Sequence, residues 1–137
     1  MRYDVLIVSD EQQQFKDFKK YASKIMKNIN FTLSFECDDI YDAIEYADLL
    51  IIDINVHSYF NPLEDSLEKN IHAIFLVDTD LHLEKYSIIK KENVLYKPLD
   101  LDKLILKIKQ ITNLLDTDIV LKKEEEFSNS IINNIKY

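Results

Sequence analysis

Apolar residues recur along the chain in two spacings, one typical of strands and one typical of helices. Continuous apolar runs predict buried strands, and apolar residues repeating every three or four positions predict amphipathic helices. On this basis the sequence predicts strands at residues 3–8, 31–37, 49–54, 71–77 and 94–96. The predicted helices cover residues 11–29, 39–47, 61–69, 81–91 and 100–115.

This regular alternation of strand and helix predicts the fold class. It favours right-handed crossover connections and a parallel sheet with helices on both faces. In such α/β sheets, ligands bind at the carboxyl ends of the strands, beside the point where the strand order reverses. Candidate chemistry is therefore expected where each predicted strand ends.

Polar side chains follow most of the predicted strands. In chain order, the residues at these strand ends are Ser9, Asp10, Asp53, Asn55, Thr79 and Lys97. Because the carboxyl ends of parallel strands meet at one edge of the sheet, we expect carboxylates, hydroxyls and a lysine to converge there. Asp53 directly follows the apolar run 49–52, and we interpret it as part of a site rather than of the core.

Taken in order, these strand ends resemble the receiver domain of bacterial two-component response regulators. The resemblance is carried by the segments LIVSDE, DLLIIDIN, AIFLVDTD and VLYKPLDLDKLILKI. It implies an α/β, flavodoxin-like, doubly wound sheet of five parallel strands in the order 2-1-3-4-5. It also implies a signalling protein that is not an enzyme and that receives a phosphoryl group from a histidine kinase or a phosphotransfer protein.

The resemblance assigns a role to each residue at the strand ends. Asp53 would be the phosphoacceptor and form an acyl phosphate. Mg²⁺, which prefers oxygen ligands and retains waters, would bind weakly to Asp10, Asp53 and the backbone carbonyl of Asn55, with Ser9 contributing through a water. Lys97 would neutralise a phosphoryl oxygen, and the peptide bond to the proline after it would be cis.

Several positions depart from the family pattern. Ser9 replaces the first of two adjacent acids and so removes one negative charge. Val77 replaces the hydroxyl residue expected after the fourth strand, although Thr79 would supply a hydroxyl if the loop is re-registered. Val94 replaces an aromatic residue, and His57 replaces a proline. These departures favour a second hypothesis, a pseudo-receiver that binds proteins or dimerises without phosphorylation.

A third hypothesis is a small α/β phosphohydrolase that works through an aspartyl intermediate. It ranks below the other two, because such an enzyme would need a second aspartate two residues after Asp53 as general acid, and residue 55 is asparagine.

Some of these residues also have simple structural interpretations. Asp10 could also be the N-cap of the first helix, a position that favours aspartate, and this role is compatible with metal binding. Asp39 and Asp42 are interpreted as the cap and solvated start of the second helix. Cys37 is interpreted as a small hydrophobic residue of the core.

Composition narrows the possible functions. A chain of 137 residues predicts one domain, and its net charge of −8 opposes direct nucleic-acid binding. Glycine is absent, which excludes the dinucleotide fingerprint and the glycine-rich phosphate loop. Apolar runs fall short of the roughly 20 residues of a membrane span, and no signal peptide is predicted. A single cysteine fits a reducing cytoplasm.

We divide the chain into a receiver domain at residues 1–116 and a tail at residues 117–137. Apolar residues recur in the tail at helical spacing, at Phe127, Ile131, Ile132 and Ile135. The tail is interpreted as a linker or a short amphipathic helix that docks on a partner or a second copy. The chain is expected to be a stand-alone receiver, or a fragment whose output domain was lost or removed.

A homodimer or a partner interface is expected on the face built from the fourth helix, fifth strand and fifth helix. Tyr86, Ile89, Tyr96 and the outer side of residues 100–115 would form it, since exposed aromatic and aliphatic residues mark binding surfaces.

Overall fold

A five-stranded parallel sheet forms the centre of the fold. The computed structural model describes residues 2–53, 72–78 and 91–116. The strands are β1 (Tyr3–Val8), β2 (Ile29–Leu33), β3 (Leu49–Asp53), β4 (His72–Val77) and β5 (Val94–Tyr96). Their order across the sheet is β2-β1-β3-β4-β5. This confirms the predicted doubly wound sheet and its strand order.

The described helices are α1 (Gln12–Ile25), α2 (Ile40–Tyr46) and α3 (residues 101–116). Short 3₁₀ turns lie at Ser34–Glu36 and Lys91–Asn93. The chain divides into two compact units, Met1–Leu104 and Ile105–Tyr137. The first contains the sheet. In the second, Ile108 and Ile111 of α3 are buried, as the helical spacing predicted.

Apolar side chains of the sheet pack against helices on opposite faces. Ile44 of α2 belongs to a buried cluster with Leu6, Val8, Leu50, Ile52, Ala73, Phe75 and Val77. Phe18 of α1 packs edge-on against Phe31 of β2, with ring centroids 5.7 Å apart. Phe31 is paired with Val5, which alternates with Leu6 along β1 and therefore lies on the other face. Each large apolar side chain buried in this way stabilises the fold by about 1.5–3 kcal/mol.

Two predicted elements end earlier than the sequence pattern suggested. The first helix was predicted to reach residue 29 but ends at Ile25, because the chain turns there to enter β2. The second strand was predicted to reach Cys37 but ends at Leu33. Its partner in the sheet is β1, and their pairing ends at Ile7↔Leu33, so beyond Leu33 the chain turns.

The helix predicted at residues 61–69 lies outside the described residues, and so does the helix predicted at residues 81–91 except for its last residue, Lys91, which begins a 3₁₀ turn. Within the part of the chain that is described, no helix is both long enough and apolar enough to cross a membrane.

Candidate functional site

The carboxyl ends of β1, β3 and β5 meet at one edge of the sheet. Val8 is paired with Ile52, so the next residues along the two strands, Ser9 and Asp53, are neighbours. Beyond β5, the Lys97 backbone N–H donates to the Val77 carbonyl at 2.8 Å and extends the ladder by one residue. The Lys97-Pro98 peptide bond is cis, which confirms that prediction.

Asp53 is a buried carboxylate whose two oxygens both accept hydrogen bonds. Its side chain is only 1% exposed. Lys97 Nζ contacts Oδ1 at 2.7 Å, and Ser9 Oγ donates to Oδ2 at 3.1 Å. A buried charge must be paired and hydrogen-bonded to persist, and bonds to an ionised group are stronger than neutral ones. The structure therefore brings together three of the residues that the sequence placed at the strand ends.

A cleft of about 290 Å³ opens beside the Asp53–Lys97 pair. Its lining residues are Glu11, Gln14, Phe15, Asp53, Leu76, Lys97, Pro98 and Leu99. Glu11 was not predicted as a site residue. Its Oε1 lies 3.9 Å from Lys97 Nζ, and its position directly after Ser9 and Asp10 was the available signal. Both members of the pair, the Asp53 carboxylate and the Lys97 ammonium, therefore line this cleft.

Ser9 and Asp10 occupy different environments although they are adjacent. Ser9 is buried, and its hydroxyl donates directly to the Asp53 carboxylate. Asp10 is exposed. The interpretation of Asp10 as the N-cap of α1 is wrong, because Glu11 holds that position and no side chain caps the helix. The predicted role of Asp10 in metal binding stays a prediction.

The oxygen atoms at this edge suit Mg²⁺ chemically. Among residues 2–53, 72–78 and 91–116, no group of three or more histidines, cysteines or acids is arranged to hold a metal. Mg²⁺ commonly binds through one or two carboxylates and keeps several waters. Asp53 and Asp10, at the ends of adjacent strands, would supply carboxylates of this kind. Asn55 lies outside the described residues.

The assignment of Val77 to the hydroxyl position of the family pattern is wrong. Val77 is buried in the cluster on the α2 face of the sheet. Asp53 is paired with Leu76, so alternation places Val77 on the opposite face and Asp78 on the face of Asp53. Asp78 directly follows β4 and is exposed. A carboxylate therefore stands where the family has a hydroxyl. Thr79 and His57 lie outside the described residues.

Tyr96 lies on the face of the sheet opposite Lys97. It is paired with Val77 and is 46% exposed, while Val94 is half-buried against the α2-face cluster. Tyr86 and Ile89 of the predicted interface are outside the described ranges. In the second unit, Leu106 and Leu114 of α3 are exposed. The predicted dimer stays a prediction.

Near α2, the interpretation of Asp39 as a helix cap is confirmed, whereas Cys37 lies beside the core and not within it. Asp39 caps the helix by accepting a hydrogen bond from the Tyr41 backbone N–H at 2.9 Å. Cys37 is half-buried and packs against the α2-face cluster. Burial raises the pKa of its thiol, and the adjacent carboxylates of Asp38 and Glu36 raise it further.

Comparison with solved structures identifies the fold. A response regulator from Thermotoga maritima has a TM-score of 0.61 at 19% identity, covering 81% of this chain and 98% of that one. A CheY-like response regulator from Mesorhizobium loti also has a TM-score of 0.61, at 18% identity, covering 81% and 99%. A response regulator receiver protein from Pseudomonas putida has a TM-score of 0.60 at 20% identity, covering 80% and 98%. The chain thus has the receiver-domain fold, as the sequence predicted.

Sequence comparisons are less informative. No protein-family model matches the chain. A Plasmodium falciparum protein named "Putative tRNA-specific 2-thiouridylase" is 29% identical over 123 residues, which cover 82% of this chain. The match covers only 10% of the length of that curated relative.

Proposed function

We propose that this protein is a response-regulator receiver domain that accepts a phosphoryl group on Asp53 in two-component signalling. The observation that carries the proposal is the buried Asp53 carboxylate, paired with Lys97 Nζ at 2.7 Å beside an open cleft. In the receiver fold, this is the edge of the sheet where ligands bind. A histidine kinase or a phosphotransfer protein would be the phosphoryl donor.

The chemistry requires few groups. An oxygen of the Asp53 carboxylate attacks phosphorus and forms an acyl phosphate, while the bond from phosphorus to the donor breaks and its electron pair leaves with the donor. The Lys97 ammonium, which now contacts the carboxylate, then shifts a small distance and neutralises a phosphoryl oxygen. Mg²⁺, when bound, supplies further positive charge. Positioning and charge neutralisation account for most of such a transfer.

Phosphoryl transfer from acetyl phosphate tests the proposal. The wild-type protein, incubated with acetyl phosphate and Mg²⁺, is expected to gain one phosphoryl mass in intact-protein mass spectrometry. Asp53→Asn removes the nucleophile and is expected to abolish the gain. Asp42→Asn is the matched control, because it removes the same charge from an exposed position on α2. An equal gain in wild type and Asp53→Asn would refute the assignment.

Mg²⁺ is expected to bind weakly, through Asp10 and Asp53. Ser9 stands where the family pattern has the first of two adjacent acids, so less negative charge is available to offset the dehydration of a doubly charged ion. In a Mg²⁺ titration followed by amide chemical shifts, perturbations should centre on residues 9–11 and 53–55 and should weaken in Asp10→Asn. Perturbations confined to other residues would contradict this metal site.

A second candidate function is a pseudo-receiver that binds partners without using phosphorylation. The observation that favours it is Asp78, a carboxylate on the Asp53 face where the family has a hydroxyl. A negative charge there would repel phosphoryl oxygens instead of binding them. Failure of the wild-type protein to gain phosphoryl mass, together with partner binding that is unchanged in Asp53→Asn, would favour this function.

A further inference from the structure

Ser34 and Ser9 form a buried pair of hydroxyl residues just beyond the carboxyl ends of β2 and β1. Ser34 is 6% exposed and Ser9 is 2% exposed. Ser34 Oγ accepts a hydrogen bond from the Ser9 backbone N–H at 3.2 Å and donates one to the Ser9 carbonyl at 3.2 Å. β2 ends at Leu33, so the Ser34 side chain replaces backbone pairing and fixes the Ser9 main chain.

The hydrogen bonds also fix the direction in which the Ser9 hydroxyl donates. Ser9 Oγ accepts a bond from the Glu11 backbone N–H at 3.1 Å. A serine hydroxyl has one proton to donate, and that proton is directed to Asp53 Oδ2 at 3.1 Å. Lys97 holds the other oxygen, Oδ1. The two donors together set the orientation of the Asp53 carboxylate plane.

We propose that Ser34 is a positioning residue for Asp53 and acts through Ser9. Ser34 fixes the Ser9 backbone, the fixed backbone directs the Ser9 hydroxyl, and the hydroxyl holds one carboxylate oxygen so that the carboxylate faces the incoming phosphorus. This inference rests on the proposed phosphoryl transfer to Asp53. Small misplacements of a reacting group lower rates substantially, so a residue that does not contact the donor would still affect the rate.

The test compares Ser34→Ala with the hydroxyl-retaining variant Ser34→Thr. Thr32→Ala is the matched control, since it removes a hydroxyl two residues before Ser34, within β2, at a residue that pairs with Leu6. The phosphorylation rate is measured against acetyl phosphate concentration. Ser34→Ala should lower the maximal rate by roughly tenfold or more, without changing the half-saturating concentration. Ser34→Thr should restore much of the rate, and Thr32→Ala should match wild type.

Amide hydrogen exchange provides a readout that does not depend on phosphorylation. In Ser34→Ala, exchange should accelerate at the Ser9 amide, which loses its acceptor, and also at the Glu11 amide, whose acceptor is the Ser9 hydroxyl. Ser34→Thr should restore protection at both amides.

The combined results separate failure of the proposed function from failure of the positioning role. If the wild-type protein gains no phosphoryl group, the proposed function fails, and faster exchange at Glu11 in Ser34→Ala would still support the positioning of Ser9. An unchanged maximal rate, or unchanged protection at Glu11, would overturn the role of Ser34. So would a rate loss shared equally by Thr32→Ala or left unrestored by Ser34→Thr, because global destabilisation would then explain it.

Discussion

Replacing Lys97 with methionine should destabilise the protein by leaving the Asp53 carboxylate buried without its ammonium partner. Asp53 Oδ1 lies 2.7 Å from Lys97 Nζ, and the two side chains are 1% and 14% exposed. Removing one member of a buried ion pair costs about 3–5 kcal/mol, because the remaining charge stays desolvated. Here the Ser9 hydroxyl still donates to Oδ2, so we expect about 3 kcal/mol. That is a large part of the roughly 5–15 kcal/mol that stabilises a typical domain.

A double-mutant cycle separates this electrostatic effect from lost packing. Asp53→Asn removes the buried charge, so adding Lys97→Met to it should cost only about 1 kcal/mol, which makes the coupling energy about 2 kcal/mol. Free energies of unfolding would be measured by urea denaturation at pH 7, followed by circular dichroism, with equal slopes required across variants.

The exposed pair Lys19–Glu36 provides the control for the cycle. Its charged atoms are 3.8 Å apart and its side chains are 39% and 45% exposed, so Lys19→Met should cost less than about 1 kcal/mol. A cost of that size for Lys97→Met, or additive effects in the cycle, would refute the description of Lys97 as the electrostatic partner of Asp53.

Four other residues give further predictions. Asp78→Thr should increase the change in amide shifts that beryllofluoride induces beyond the immediate site, because a hydroxyl donor would replace a repelling carboxylate. Val77→Thr should produce no such increase, and it should lower the free energy of unfolding by about 1–3 kcal/mol, since it buries a hydroxyl in the core. If Val77→Thr increased the beryllofluoride response and Asp78→Thr did not, Val77 would be the residue at the hydroxyl position after all. Asp39→Ala should cost about 1 kcal/mol by removing the N-cap of α2, and an unchanged unfolding midpoint would contradict that role. Cys37 should react with iodoacetamide more slowly than a free thiol at pH 8 and faster as the pH rises, because its raised pKa keeps it protonated; a rate equal to that of free cysteine would contradict the pKa shift.

The sequence was sufficient to predict the sheet and the central pair of the site. Alternating periodicities predict crossover units, and the carboxyl ends of parallel strands must share one edge, so Asp53 and Lys97 were expected to meet. Their 2.7 Å contact follows from that geometry. The ends of elements were predicted less well, because apolar alternation continued past Leu33 although pairing with β1 stopped there.

The register of β4 and the role of Ser34 required the structure. A shift of one residue exchanges the two faces of a strand, and the apolar run that ends at Val77 is compatible with either phase. Pairing of Asp53 with Leu76 determines the phase. The bonds between Ser34 and Ser9 join residues 25 positions apart, and nothing local in the sequence of either serine indicates such a contact.

Beryllofluoride binding, followed by amide chemical shifts, tests most directly whether Asp53 is a phosphoacceptor. The ion mimics a phosphoryl group on a carboxylate and needs no kinase. In wild type and in Asp42→Asn, we predict a saturable perturbation centred on Ser9, Asp53 and Lys97, and in Asp53→Asn we predict none. A wild-type spectrum that does not respond, or a response that persists in Asp53→Asn, would contradict the proposed function.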